Sequence, residues 1–412
     1  MLTITIDATG LRGAQNTGTG FVVRRLVESL AAGRPDAKVL VLCDPSTAFD
    51  PYPNLELSSA PLSGTDGLVL APMQVSTNRE YVRVFSSGRR VLLFQFDAIS
   101  VQSRYFTSWL DRYVTRSVVR NALRNATRVM TLSEASALEL TKFEPSLTDG
   151  RLAVVGCGID PQSVAPKELE ASDVQAGFVL VVASAYAHKQ RPFAIRVFDE
   201  MRTRGFTGGL VICGPVPRFG STVTEELQLV QEMGLRDVVQ FLGPVSEQRK
   251  HVLMANAVVT LYPSREEGFG LIPFESAGLG TPCLTASVSC FPEILGDQVE
   301  MAQTFEVREW ADIATSWVDN PMLASRQVEL IQRRALQHTW TECATRVWSQ
   351  VDACLSGAAA QPARRTRWLY TSRTNGKGLS RPVRAAHWMI WFATRLVSIP
   401  ARLSGGHSTG YE

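Results

Sequence analysis

Two successive series of short, almost uninterrupted apolar runs constrain this chain more than any other feature. The first reads "LTITID", "KVLVLC", "GLVLAP", "RVLLFQF", "RVMTLS" and "RLAVVG"; the second reads "FVLVVAS", "GGLVICG", "DVVQFLG", "AVVTLYPS" and "TPCLTA". Stretches with helical spacing, such as "FVVRRLVESLAAG" and "PFAIRVFDEMRTRG", lie between the runs. A strand buried on both faces loses polar–apolar alternation, so such runs alternating with helices predict parallel sheets covered on both sides. The polar stretch "GIDPQSVAPKELEASDVQAG" separates the series and reads as a linker. We therefore expect an α/β fold with two doubly wound domains, residues 1–165 and 166–357, facing across a cleft at the carboxyl ends of both sheets. A last helix is expected over about 339–355, placed so that it can pack back on the first domain.

Composition enters where it excludes something. The chain has 412 residues, 45% of them hydrophobic and 20% charged, with no run of eighteen apolar residues, so a membrane-spanning helix is not expected. The start "MLTITIDATG" has neither a basic leader nor a small-residue cleavage site, and no signal peptide is expected. Seven scattered cysteines without a CxxC pair argue against a disulfide framework or a zinc site, and for a reducing cytoplasm. From Ala360 onward nine Lys or Arg face one acid, Glu412, whereas the rest of the chain carries 33 basic and 38 acidic residues. The basic character, and any attraction to anionic partners, thus belongs to the tail, 358–412.

The segment "EEGFGLIPFE" sets Glu267 and Glu275 on either side of a glycine-broken apolar turn, between a strand and a helix start. Pro273 suits the first helical turn and Gly280 the helix stop, with Ile272 as candidate N-cap. A helix start offers unpaired N–H groups and a positive dipole end, which favour a phosphate. Carboxylates do not favour a phosphate, so their targets should be hydroxyls beside it, and a nucleotide sugar meets that demand. The plainer alternative is that Glu275 complements the dipole and Glu267 is a solvated loop charge. No acidic metal motif or His/carboxylate cluster stands out, and neither metal nor cofactor is expected.

This segment resembles the E-x7-E signature of the retaining glycosyltransferases of family 4, and the resemblance extends over roughly residues 1–357. It implies the GT-B architecture: two Rossmann-like doubly wound parallel-sheet domains, here followed by a basic helical tail. It also implies Glu267 on the donor sugar and Glu275 on the nucleotide ribose, with Gly268, Phe269, Gly270 and Leu271 lining the donor site. "VVASAYAHKQRP" is similar to the family segment whose Lys neutralises the leaving diphosphate, which makes Lys189 the candidate. Family members carry an Arg some six residues earlier; Ala183 stands there, and Arg191 or His188 is the expected substitute. Gly18 and Gly20 in "GLRGAQNTGTGF" resemble the family's glycine turn against phosphate or acceptor, although an ordinary tight turn before a helix reads equally well. Where the family has His-Asp, this chain has Phe96-Asp97, leaving Asp97 or Gln95 to meet the sugar, or Asp97 to cap the next segment. Ser133 and Glu134 read as a helix cap and first turn, and Cys157 as packed.

The resemblance implies a metal-independent hexosyltransferase with an oxocarbenium-like, front-face transfer. The donor is a nucleotide sugar, leaning to GDP-mannose, and the acceptor a glycan or lipid-linked molecule of a cell-surface polysaccharide or glycolipid. A GT-B scaffold without turnover, and a sugar phosphorylase or synthase of soluble metabolism, are the alternatives. In "SRPVRAAHWMIWFATRLVSIPARL", Arg381, Arg384, Arg395 and Arg402 share one helical arc and Phe392, Leu396 and Val397 fall on the other. That pattern suits an anionic membrane surface at the inner face of the cytoplasmic membrane; packing on the protein or a disordered tail are the other readings. No nucleic-acid partner is expected.

Overall fold

Each apolar run becomes a strand of one of two wholly parallel sheets. The computed structural model describes residues 2–13, 18–59, 67–85, 90–101, 109–160, 174, 177–217 and 220–357. The arc of 381–402 and most of the linker lie outside the described residues. The first sheet comprises β1 (Thr3–Asp7), β2 (Lys38–Leu42), β3 (Leu55–Ser58), β4 (Leu68–Ala71), β5 (Arg90–Phe94), β6 (Arg128–Thr131) and β7 (Leu152–Val154), in the order β3-β2-β1-β4-β5-β6-β7. The second comprises β8 (Val179–Val182), β9 (Leu210–Cys213), β10 (Val239–Gly243), β11 (Val259–Tyr262) and β12 (Cys283–Thr285), in the order β10-β9-β8-β11-β12. Both orders reverse direction once, between β1 and β4 and between β8 and β11. A crevice opens at such a reversal, beyond the carboxyl ends of the strands, because consecutive connections leave toward opposite faces.

Burial explains why eleven of the twelve strands among the described residues were legible and β3 was not. Every residue of β4, β8, β9 and β11 is buried, which is what removes their alternation. β3 is the edge strand "LELS", with Glu56 and Leu57 exposed, so it carries no apolar run.

Helices cover the first sheet as α1 (Gly18–Gly33), α2 (Asn78–Phe85), α3 (Trp109–Asn125) and α4 (Glu134–Phe143). The second is covered by α5 (Arg191–Thr203), α6 (Val223–Glu232), α7 (Glu247–Asn256), α8 (Ile272–Gly278), α9 (Phe291–Leu295), α10 (Val307–Asp319) and α11 (Pro321–Ala335). The chain then enters α12 (Trp340–Ser356), capped by Thr339, whose hydroxyl accepts from the Glu342 N–H. This helix leaves the second sheet and packs on the first. The Trp348 indole donates to the Leu30 carbonyl at 3.1 Å, and Trp340 meets Phe21 edge-on. Arg34 pairs with Asp352 at 2.7 Å, and Arg90 donates to the Cys354 carbonyl at 2.7 Å. Gly158 lets the chain pass beneath, since a Cβ there would lie 2.3 Å from the Trp340 ring.

Candidate active site

The two strands that flank the reversal in the second sheet each deliver one charged residue to the crevice. The loop after β8 carries Lys189, and the loop after β11 carries Glu267. Their side chains form an ion pair that is nearly closed to solvent, at 14% and 10% exposure. Tyr262, the last residue of β11, completes a three-cornered network: Lys189 Nζ donates to its hydroxyl at 3.0 Å, and that hydroxyl donates to Glu267 Oε1 at 2.6 Å. Burial opposes ionisation of Glu267, but the Lys189 ammonium and the bonds from Lys189 and Tyr262 outweigh it and hold the carboxyl below its ordinary range. Burial, and then the Glu267 charge, push the Tyr262 phenol well above its own.

Backbone strain brackets this pair. Among the described residues, Gln190 (φ 53°) and Ser289 (φ 56°) are the non-glycine residues in the left-handed region. Gln190 directly follows Lys189. The Ser289 hydroxyl accepts from the Glu267 N–H at 3.1 Å and donates to the Glu267 carbonyl at 3.0 Å. Such conformations cost about 1–3 kcal/mol each and persist where the surroundings impose them, most often at functional sites.

Glu275 lies in the first turn of α8, as its spacing predicts, but it is not a free carboxylate. Lys250 of α7 pairs with it at 2.7 Å and with Glu247 at 2.7 Å. Burial works against the Lys250 ammonium, yet the two carboxylates hold its pKa above the ordinary value. The start of α8 offers fewer donors than expected. Leu271, not Ile272, is its N-cap; Pro273 has no N–H, and the N–H groups of Phe274 and Glu275 return to the Leu271 carbonyl at 3.0 Å. The helix ends as the glycine predicts: with Gly280 at φ 88°, Gly280 N–H bonds the Ala277 carbonyl and Thr281 N–H the Ser276 carbonyl, closing a Schellman motif.

Several sequence expectations change at this point. Arg191 does not stand in for the arginine missing at Ala183. Its guanidinium is buried, pairs with Glu226 at 2.7 Å and donates to the Ala183 carbonyl at 3.3 Å. Nor does His188 supply a cation: burial, reinforced by the Lys189 charge, drives its pKa down to about 3, so the imidazole is neutral near pH 7. The Phe269 ring packs against Phe274 and His338 instead of lining the crevice. Gly270, at φ 82°, is demanded by packing, because a Cβ there would meet Phe291 at 2.6 Å. Leu271 is half-buried against the core. Gly18 and Gly20 open α1 itself; Gly18 is exposed with open space around it, whereas Gly20 is buried.

The first half meets the E-x7-E loop directly. A Cβ on Gly268 would lie 3.0 Å from the Phe96 carbonyl and 3.3 Å from Asp97 Oδ2. Asp97 Oδ1 accepts from the Ile99 N–H at 2.8 Å and from Gln74 at 3.2 Å, so it does cap the following turn. Burial raises the Asp97 pKa, and the Glu267 charge adds to the rise. Gln95 is turned to the Asp97 carbonyl at 2.9 Å. Ser133 caps α4 and also donates to the Gly268 carbonyl at 2.8 Å. Glu293 of α9 accepts from the N–H groups of Glu134 and Ala135 at 2.9 and 3.2 Å, where the helix dipole favours a carboxylate. Cys157 is buried, which raises its thiol well above the ordinary value and keeps it inert. Tyr262, Lys250, Ser289 and Glu293 were not singled out in the sequence. A tyrosine closing an apolar strand five residues before an acid was the available signal for the first of them.

Residues 167–334, which hold Lys189, Tyr262, Glu267 and Glu275, match the family described as glycosyl transferases group 1. That segment is similar to a group 1 glycosyltransferase domain. The chain is 29% identical over 140 residues to a D-inositol 3-phosphate glycosyltransferase of Corynebacterium aurimucosum, covering 34% of this chain and 33% of the relative. It is 25% identical over 248 residues to an MMP alpha-(1->4)-mannosyltransferase of Mycolicibacterium hassiacum, covering 56% and 55%. The match thus spans a third to about half the length of these glycosyltransferases. Among solved structures, sucrose-phosphate synthase from Thermosynechococcus elongatus superposes with a TM-score of 0.65 at 18% identity, covering 87% of this chain and all of that one. Anabaena HepE, solved with UDP and glucose, gives 0.62 at 17%, covering 86% and all of that chain. These likenesses establish the GT-B fold, and the residues that match the family lie in its second half.

Proposed function

We propose that the protein is a retaining glycosyltransferase that moves a sugar from a nucleotide-diphosphate donor, with GDP-mannose the leading choice, to a glycan or lipid-linked acceptor. The Lys189–Tyr262–Glu267 network at the chain reversal of the second sheet is the observation that carries this reading. The donor lies in the crevice with its diphosphate on Lys189. That ammonium sits in a site nearly closed to water, where a fixed charge stabilises a developing phosphate charge better than it does in solution. Glu267 turns its carboxylate to the sugar hydroxyls, and being ionised it accepts from them strongly. Glu275, held by Lys250, takes the ribose hydroxyls. Asp97 lies across the crevice beside Gly268, on the acceptor side, where burial and the Glu267 charge raise its pKa and it can meet a sugar hydroxyl. The departing diphosphate helps deprotonate the acceptor on the same face, so configuration is retained and no covalent sugar–enzyme bond is needed.

The relatives' names support the transfer of sugars, including mannose, and the solved complex with UDP and glucose supports a nucleotide-linked donor. The basic 381–402 segment suits attachment to an anionic membrane surface, in keeping with a lipid-linked acceptor; no described helix is long and apolar enough to cross a membrane. Flotation with anionic liposomes tests that attachment: equal binding by the full chain and by one ending at Gly357 removes the tail's role. For the reaction, the chain is incubated with labelled GDP-mannose, UDP-glucose and UDP-N-acetylglucosamine, reading thermal shift and nucleotide release. At least one donor should stabilise the fold and be turned over, with the anomeric configuration kept by NMR. No stabilisation by any nucleotide sinks the reading.

A further inference from the structure

We propose that Tyr262 is a positioning residue that keeps Glu267 in place while Lys189 exchanges that carboxylate for the donor's diphosphate. This rests on the transferase reading above. Without donor, Lys189 serves Glu267; with donor, the same ammonium is needed at the phosphates, and its flexible four-carbon stem permits the move. Glu267 would then lose its cation at the moment its orientation matters most. Tyr262 cannot follow Lys189, because its side chain is rigid and 4% exposed, at the end of a central strand with its ring edge-on to Phe291 at 6.0 Å. Its hydroxyl therefore remains 2.6 Å from Glu267 Oε1, while Ser289 holds the Glu267 backbone from the other side. The released lone pair of the phenol oxygen, where Lys189 donates at 3.0 Å, is open to water or a donor hydroxyl once the ammonium leaves.

The titratable groups around Glu267 are Lys189, His188, Asp97, Tyr262 and Cys290. His188, Tyr262 and Cys290 stay neutral through the range of an assay near pH 7, since burial lowers the first to about 3 and raises the other two well above their ordinary values. The Glu267 anion is favoured first by Lys189, then by the Tyr262 hydroxyl and last by Ser264, so Tyr262 is the stronger of the two neutral partners that stay when Lys189 turns away.

The test is Tyr262→Phe, which keeps the ring, its contact with Phe291 and the Lys189–Glu267 pair. We expect kcat to fall about tenfold or more, the scale of one hydrogen bond to a charged group. Donor KM should stay within about threefold, as for an interaction that matters after binding. The acid limb of the kcat/KM profile should move upward by about one pH unit as Glu267 loses a donor. A structural role alone would lower the melting temperature without moving that limb. The readout independent of turnover is the ¹³C-carboxyl titration of Glu267, which should also move to higher pH, and further still in a Lys189→Met background. An unchanged Glu267 titration in both backgrounds overturns the proposal. If the titration moves but the wild-type chain turns over no donor, the transferase reading fails and the hold of Tyr262 on Glu267 stands.

Discussion

Replacing Arg191 by methionine decides between a structural and a ligand-binding arginine. The guanidinium and the Glu226 carboxylate are 4% and 0% exposed and 2.7 Å apart, with the Thr222 hydroxyl on the other carboxylate oxygen. Arg191→Met leaves Glu226 charged and unmatched in the interior, a loss of roughly 3–5 kcal/mol. The Ala183 carbonyl also loses a donor, worth about 1 kcal/mol. Protonation of Glu226 caps the penalty, because each pH unit by which its pKa rises costs only about 1.4 kcal/mol. We expect a net loss of about 4 kcal/mol, seen as a fall in melting temperature of roughly 8–16 °C at about 2–4 °C per kcal/mol.

The pH dependence has a definite sign. Burial already holds the Glu226 pKa above its ordinary value despite Arg191, so the folded state binds this proton more tightly than the unfolded chain does. That contribution favours folding below the ordinary glutamate value of about 4.3 and is lost as pH rises from there through the raised folded value. Removing Arg191 raises the folded value further, so the deficit of Arg191→Met against wild type should shrink on acidification. Urea denaturation across pH, with nucleotide titration calorimetry on the folded variant, checks both points, and Arg191→Met/Glu226→Leu should recover most of the loss. A variant that keeps its stability but binds nucleotide ten times more weakly would refute the argument and return Arg191 to the donor site.

Two further substitutions probe how the halves meet. Gly268→Ala drives a methyl group to 3.0 Å from the Phe96 carbonyl, so the halves must part by a few tenths of an ångström; we expect turnover to fall about tenfold or more with under about 1 kcal/mol of lost stability. Glu293→Ala removes two exposed charge-assisted bonds to α4 and should cost about 1 kcal/mol or less in denaturation, while small-angle scattering reports a more open molecule.

Strands and helices were legible because burial on both faces writes itself into composition; β3, half-exposed at the sheet edge, writes nothing. The positions of Glu267 and Glu275 followed from short-range punctuation, two charges about a glycine-broken turn and a helix start, and that of Lys189 from the resemblance of its segment to a family motif. Their partners did not. Tyr262 and Lys189 are 73 residues apart, Ser133 and Gly268 are 135 apart, and Glu134 and Glu293 are 159 apart. The first pairing is fixed by which strands are neighbours in the second sheet and the other two by how the two halves pack, and no local pattern encodes either. For the same reason Arg191 could be placed beside the crevice in sequence while its side chain was committed to Glu226.

Turnover by Glu267→Gln tests the central claim most directly. Released nucleotide is counted from GDP-mannose, UDP-glucose and UDP-N-acetylglucosamine, with nucleotide affinity measured alongside. We expect the wild-type chain to turn over at least one donor and the variant to lose at least about 100-fold in kcat, the scale set by removing one preorganised charge-stabilising group. Nucleotide affinity should stay within about threefold, as expected when the lost interaction is made in the transition state. Equal turnover by the two proteins would contradict the assignment of Glu267 and, with it, the reading of the crevice.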